Sequence, residues 1–437
     1  MDAQTNYPFA MKTENTKIIV GAYAVSPVRG SECAVCWEIC RRLGRYYDTT
    51  VLMADETPTQ HKFYREVQDY LASNPDEAKN VTFIPISHPP LSRLWTFVHN
   101  HGFWPAYYLA YNLWQRAACR KAMELHKTTP FSLAHQINMI GYREPGYLWK
   151  ISIPFVWGPV GGFPEIPWGF IRHSGLKNIA TQGLKKFANA AQQRLSYRCK
   201  QAAKHASHIW VVEHDGQTRI RKLWGAPSEI MLEAGSNSLC TFTVPTYNSS
   251  RPLHLVWSGM ITFGKQLPLL LRALHRISSA NFILTVIGDG YEKEYCVKLS
   301  ADLSISRKIQ WVGWISHANA MELVKACDVF IHTSVKEATS TAVLEALSLS
   351  KPVICHDACG MGIAVTDNCG RKVPLISPDI SVAHFCRHIE ELIRNPDIVA
   401  RLSRGAWERA NELSWDRKAE AIAKMYDRIL TGKKVVK

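Results

Sequence analysis

The stretch that most constrains this chain is DVFIHTSVKEATSTAVLEALSLSKPVICHD, Asp328 to Asp357. An apolar run, Val329 to His332, ends in Thr333-Ser334, and a polar turn follows. The spacing then predicts a helix from about Ala342 to Leu349, and Pro352 to Cys355 reads as the next strand. A strand–loop–helix–strand unit of this kind points to an α/β protein with a parallel sheet. In such sheets ligands sit beyond the carboxyl ends of the strands, here at Ser334 to Thr341.

Two carboxylates frame that loop, Glu337 before the helix and Glu345 inside it, in a Glu-x7-Glu pattern. Ser340 and Thr341 are good N-cap residues, and with Ala342 they open a helix whose free N–H groups suit an anion. A nucleotide-sugar fits the pattern. Glu345 takes the ribose hydroxyls, the helix start takes the diphosphate, and Glu337 takes the sugar hydroxyls. Taken as a pair alone, the two Glu read equally as a solvated loop residue and a surface residue of an amphipathic helix.

The alternation of strand and helix occurs twice along the 437 residues. Strands are expected at Lys17–Tyr23, Thr50–Ala54, Val81–Ile86, Phe131–Ile137, Pro154–Gly158 and His208–Glu213, then at Leu253–Ser258, Phe282–Ile287 and Ile309–Gly313, with a further one from Arg371 on. Cys240 to Arg251, rich in Thr, Ser, Asn and Pro, reads as a linker. The expected domains are 1–245, 246–413 and a closing helix in 414–437.

Several loops sit where a ligand would lie. Arg29-Gly30-Ser31-Glu32 occupies the first strand-to-helix turn, where Gly30 allows close backbone approach and Ser31 can cap the helix. It departs from the dinucleotide fingerprint G-x-G-x-x-G, which argues against an NAD site. Gly259 opens the loop after the strand Leu253–Ser258, and Lys265 in that loop can pair with a diphosphate. Gly288-Asp289-Gly290 and Trp314-Ile315 follow the next two strands. His135 lies near the end of its strand, with a structural role and a ligand contact both open.

The Glu-x7-Glu unit, WSGMITFGKQLPLLLRAL, the Gly-Asp-Gly loop and SWDRKAEAIAKMYDRIL together resemble retaining glycosyltransferases of family 4, the glycosyl transferases group 1. The resemblance implies the GT-B fold, two doubly wound Rossmann-like domains facing a central cleft. It implies a nucleoside-diphosphate-sugar donor, a saccharide or lipid-linked hydroxyl acceptor, retention at the anomeric carbon, and neither metal nor cofactor. Glu337, Lys265 and His135 become the catalytic candidates. Glu345, Ser340, Thr341, Ala342, Gly30, Ser31, Gly259, Gly288, Trp314 and Ile315 become donor contacts, with Trp314 and Ile315 along the base. Two departures stand out. Met260 occupies a place where the family usually has Arg, and IPFVWGPVGG lacks the His that commonly follows this strand.

Charge narrows the partner. The net charge is +15, and residues 93–212 hold 15 Lys+Arg against 3 Asp+Glu. Such a face implies an anionic partner, a membrane surface before nucleic acid, since no nucleic-acid motif accompanies it. The basic stretch Asn178–Lys204 carries an apolar stripe of Leu184, Phe187, Ala191 and Leu195 at helical spacing. The aromatic segment Ser92–His126 fits either core or a membrane-interface face. Cys33, Cys36 and Cys40 fall on one helical face and suit a core helix better than a metal. No apolar run is long enough to span a bilayer and no signal core precedes Ile18, so a cytoplasmic protein is expected, with peripheral attachment at the inner membrane face as an option. The competing classes are a nucleotide-sugar epimerase of the same shape and a basic membrane-binding module with a decayed site.

Overall fold

The computed structural model describes residues 16–432, apart from 31, 57–60, 104–105, 173–175, 238–240 and 243–246. Ser31 therefore lies outside the described residues, as does part of the expected linker.

Two parallel sheets organise the chain. The first holds β1 (Lys17–Ala22), β2 (Asp48–Ala54), β3 (Val81–Ile86), β4 (Leu133–Asn138), β5 (Phe155–Val160), β6 (Ala206–Val211) and β7 (Glu229–Ile230), in the order β3-β2-β1-β4-β5-β6-β7. The second holds β8 (Leu253–Ser258), β9 (Phe282–Ile287), β10 (Ile309–Gly313), β11 (Val329–His332), β12 (Val353–His356) and β13 (Gly370–Val373), in the order β10-β9-β8-β11-β12-β13. The chain therefore runs outward from β8 to β10, then returns to lay β11 on the other side of β8. That reversal opens a crevice between the loops after β8 and β11, where open α/β sheets bind ligands.

The central strands read as apolar runs because they are covered on both faces. Ile18, Ile19 and Val20 of β1 and Val329, Phe330 and Ile331 of β11 are wholly buried. The helix Leu267–Arg276 follows the β8 loop and buries Leu267, Leu269, Leu270, Leu271 and Leu274 against β8 and β9 residues. Each fully buried Leu contributes about 2 kcal/mol.

The chain divides into two compact units, 1–158 with 198–209 and 419–437, and 159–197 with 210–418. In the first, Cys36 and Cys40 are fully buried in the helix Glu32–Leu43, as a core face requires. The aromatic segment forms the helices Pro90–Asn100 and Ala106–Thr128. Tyr111 and Trp114 pack edge-on against Tyr23 in the core, whereas Leu91, Leu94 and Phe97 are exposed. The segment therefore divides, with Tyr111 and Trp114 of the second helix in the core and apolar residues of the first left exposed.

The basic stretch is not one helix. It breaks at Ser196 into Leu176–Leu195 and Tyr197–His205. Arg198 holds Glu144 through two hydrogen bonds of 2.8 Å. The apolar stripe on the first of these helices turns outward, with Leu184 70% and Phe187 73% exposed.

Candidate functional site

The loops after β8 and β11 are bound to one another before any charged group is considered. Thr333 donates its hydroxyl to Lys265 O at 2.6 Å and accepts from the Trp257 indole at 2.9 Å. The Val335 amide donates to Gly264 O at 3.0 Å. The glycine loops stack as well. Gly288 sits at φ +128°, and a Cβ there would stand 2.0 Å from Gly259 O, so only glycine fits. These contacts fix the backbone on which Lys265 and Glu337 stand.

The Lys265 ammonium donates to both oxygens of Glu337 at 2.7 Å. His332, the last residue of β11 and 2% exposed, places Nε2 3.0 Å from Glu337 Oε2. Burial alone would raise the Glu337 carboxyl, but His332 and Lys265 more than offset it and hold it down at about 2. Burial also keeps His332 below its usual value, against the pull of Glu337. The group facing the ionised carboxylate is thus a neutral imidazole with its proton on Nε2. Both Glu337 and Lys265 remain about one-quarter exposed, 24% and 23%. The arrangement is an ionised carboxylate, oriented from below by a buried donor and from the side by a cation, with a face still open to solvent.

Eight residues on, Glu345 accepts from or pairs with His317 Nε2 at 2.9 Å. His317 opens the helix His317–Ala326 directly after the β10 loop, so the turn carrying Trp314 and Ile315 lies beside Glu345. Trp314 is 74% exposed. An exposed indole next to a carboxylate can take a nucleobase and its ribose together.

The helix Thr341–Ser348 begins at Ser340, which occupies the N-cap position. Its side chain makes no capping hydrogen bond, in contrast to the expected cap. Ser340 is buried, Thr341 exposed and Ala342 half-buried. Thr339, one residue earlier, is tied down by Glu233, whose carboxylate accepts from the Thr339 amide at 2.5 Å and hydroxyl at 2.6 Å.

In the first unit, Gly30 is exposed and a side chain there would meet nothing within 4 Å, so close packing does not demand glycine. The neighbouring Arg29 is locked onto Glu66, with Nε 2.8 and 2.9 Å from its oxygens. His135 requires a correction. It was expected to face a ligand, but it is fully buried, with Nε2–H on Gly158 O at 2.7 Å and Nδ1 accepting from the Tyr426 hydroxyl. Burial holds it near 3, so it is a neutral strut of the interior.

The structure thus brings Lys265, Glu337, Gly259 and Gly288 to one crevice and joins Glu345 to His317, two residues past Ile315. His332 had no signal in the sequence that separated it from the apolar strand it ends.

Residues 248–409 match the family model described as glycosyl transferases group 1. The D-inositol 3-phosphate glycosyltransferase of Streptomyces bingchenggensis is 29% identical over 147 residues, 33% of this chain and 31% of that protein. The lipopolysaccharide 1,6-galactosyltransferase of Salmonella typhimurium is 28% identical over 160 residues, 36% of this chain and 44% of that one. The chain thus matches less than half the length of these relatives. Among solved structures, the apo form of the lipopolysaccharide outer core galactosyltransferase WaaB aligns with TM-score 0.62 at 16% identity, covering 96% of this chain and all of that one. Anabaena HepE in complex with UDP-glucose aligns with TM-score 0.53 at 14% identity, over 96% and 100% of the two chains. At such identities the likeness is one of fold, and the fold is GT-B, built of two Rossmann-like parallel-sheet domains.

Proposed function

We propose, for a chain whose residues 248–409 belong to the glycosyl transferases group 1, that it transfers a glycosyl group from a nucleoside-diphosphate sugar to a hydroxyl acceptor with retention. The observation that carries this is the Lys265–Glu337–His332 cluster at the switch point of the second sheet, one loop ahead of a helix start. Departure of a diphosphate leaves positive charge on the anomeric carbon and negative charge on the leaving oxygen. Glu337, kept ionised, supports the first. Lys265 and the amides opening the helix Thr341–Ser348 support the second without a metal. Gly259 and Gly288 let the diphosphate approach the backbone, and Glu345 with Trp314 and Ile315 holds the nucleoside. Gly30 and Ser31 remain a candidate contact for the diphosphate or the acceptor.

The acceptor we infer is a saccharide or lipid-linked precursor in cell-surface glycan synthesis. Its support is twofold. Relatives include lipopolysaccharide core biosynthesis glycosyltransferases, and the outward Leu184–Phe187 stripe sits in a basic stretch suited to an anionic membrane face. Among the described residues, no helix is long and apolar enough to cross a membrane.

The test is a screen of nucleotide-sugars for thermal stabilisation, followed by transfer assays and NMR of the product anomer. Glu337→Ala should lower kcat by at least about a thousandfold with the fold retained, the scale of losing a charge-stabilising group. EDTA should leave the rate unchanged. Inversion at the anomeric carbon, or a Glu337→Ala enzyme within tenfold of wild type, contradicts the mechanism. Donor isomerised without any acceptor would make the chain an epimerase.

A further inference from the structure

A recess of about 470 Å³ lies in the second unit, lined by Pro164, Glu213, Asp215, Asp357, Cys359 and Lys372 among others. One of its walls is anomalous. Glu213 follows β6 at the N-cap position of the helix His214–Trp224, yet its side chain makes no cap bond. It is 3% exposed, and no donor meets either carboxyl oxygen at good hydrogen-bond geometry, though the Phe163 amide lies near enough to favour the ionised form weakly. A carboxyl left this way is costly to bury. A single-residue change to an apolar side chain would remove that cost, and the fold keeps it beside an open volume.

The recess adjoins the Glu337 loop. Cys359, in its wall, lies against the Glu337 backbone. Burial first, and then Glu213, Glu337 and Asp215 together, push its thiol up to about 12. Glu233, close enough to Glu213 to disfavour its ionisation, grips Thr339, two residues beyond Glu337. Burial, Glu233 and Asp215 push the Glu213 carboxyl up to about 8, and the Phe163 amide and Arg219 pull less strongly the other way. At neutral pH it is a carboxylic acid, with one O–H to donate and one C=O to accept. The remaining charged groups facing the recess are Glu165, His214, Asp357 and Lys372, with Lys372 tied to Asp357 at 3.1 Å. In a chain of net charge +15, this wall is acidic.

We propose that Glu213 is a saccharide-binding residue: in the recess beside the Glu337 loop it exchanges hydrogen bonds with hydroxyls of the reacting sugar, and the acidic wall disfavours phosphorylated saccharides. This rests on reading Glu337 as facing that sugar. The hydroxyls can belong to the donor hexose or to the acceptor. Either way a neutral donor–acceptor carboxyl matches a polyol better than an anion.

The experiment uses the full chain, Glu213→Gln and Glu213→Ala, each checked for an intact cooperative melt. Binding of UDP, methyl glucoside, methyl galactoside and glucose 1-phosphate is followed by NMR. UDP should bind all three proteins alike. A methyl hexoside should bind wild type and the Gln variant, and at least about tenfold more weakly the Ala variant, the scale of leaving a buried partner unmade. Glucose 1-phosphate should bind more weakly than the hexoside. Wild-type affinity should fall above about pH 8, as the carboxyl ionises, and the Gln variant should show no such fall. Equal hexoside binding by wild type and the Ala variant overturns the proposal, as does UDP binding without any hexoside binding. Absence of UDP binding counts against the UDP-sugar donor instead, and the hexoside arm then decides Glu213 alone. UDP-glucose and UDP-galactose separate the two sources: weakened binding of either to the Ala variant marks the donor sugar, and unchanged binding with a raised acceptor KM marks the acceptor.

Discussion

Three side chains share the Glu337 carboxylate site, and only one of them is wholly buried. Lys265 can swing away to a ligand phosphate, because its four-carbon stem is flexible and its head is partly exposed. His332 cannot move, since it ends β11 inside the core at 2% exposure. It is therefore the positioning residue that keeps Glu337 aimed when Lys265 is engaged elsewhere. Replacing it by Phe keeps the volume and removes the donor. We expect His332→Phe to cost about a hundredfold in kcat, the scale of a small misplacement of a reacting group. The KM for donor should change much less. Glu337 is held below its ordinary 4.5, at about 2, so its native interactions add stability above pH 4.5 that is lost as pH falls toward 2. The acid limb of the kcat profile should therefore move upward in pH in the variant. Rate profiles that superimpose would assign His332 to packing alone.

At the level of elements, the sequence disclosed the strands and concealed which helix faces look outward. Val81–Ile86, Leu253–Ser258, Phe282–Ile287, Ile309–Gly313 and Val329–His332 were legible because a parallel strand is mostly apolar and gives way to Gly, Thr or Ser. Lys265 and Glu337 were legible as a pair only through the resemblance, since 72 residues separate them. His332 and His135 were not, because a buried histidine inside an apolar run looks the same whether it supports a site or the interior. The break at Ser196 carried no Pro or Gly to announce it. The Leu184–Phe187 stripe left a surface helix and a membrane-facing helix both open, because nothing in its spacing tells core from exterior. Its exposure motivates a prediction at this scale. The double variant Leu184→Glu, Phe187→Glu should lose most of its recovery with anionic liposomes in flotation, while wild type floats with anionic and not with neutral vesicles. Each Lys or Arg near the surface adds about 1 kcal/mol of attraction, so raised salt should also release it. Equal recovery of wild type and variant would leave the stripe without a membrane role.

For the molecule as a whole, the same burial that builds both sheets stores a sensitivity to acid. His88 and His135 belong to the first unit and His356 to the second. Burial holds them neutral, at about 4, 3 and 4. In the neutral ring of His356, Nδ1 donates to Ser334 O at 3.1 Å and Nε2 accepts from the Ser381 hydroxyl at 2.9 Å, so both nitrogens are satisfied without a second proton. For a group whose folded value lies below its unfolded value, stability is full above the unfolded value and lost as pH falls through the folded one. Here the window runs from about 6.5 down to about 4 for His88 and His356, and to about 3 for His135. Each proton taken up only on unfolding contributes a slope of about 1.4 kcal/mol per pH unit. Glu213 acts with the opposite sign. Raised from 4.5 to about 8, it costs stability as pH rises across that interval. From pH 4.5 to 6.5 the His356 and Glu213 slopes oppose each other, and above 6.5 only the Glu213 loss remains, so the second unit is most stable below about pH 6.5 rather than at the basic isoelectric point. Urea unfolding followed from pH 4 to pH 9 should resolve both. His356→Asn should flatten the acid side of the second unit's transition, and Glu213→Gln should flatten the alkaline side and raise the midpoint at pH 8. A first-unit midpoint in wild type that stays constant from pH 7 to pH 5 would show that His88 and His135 are not held neutral by the fold.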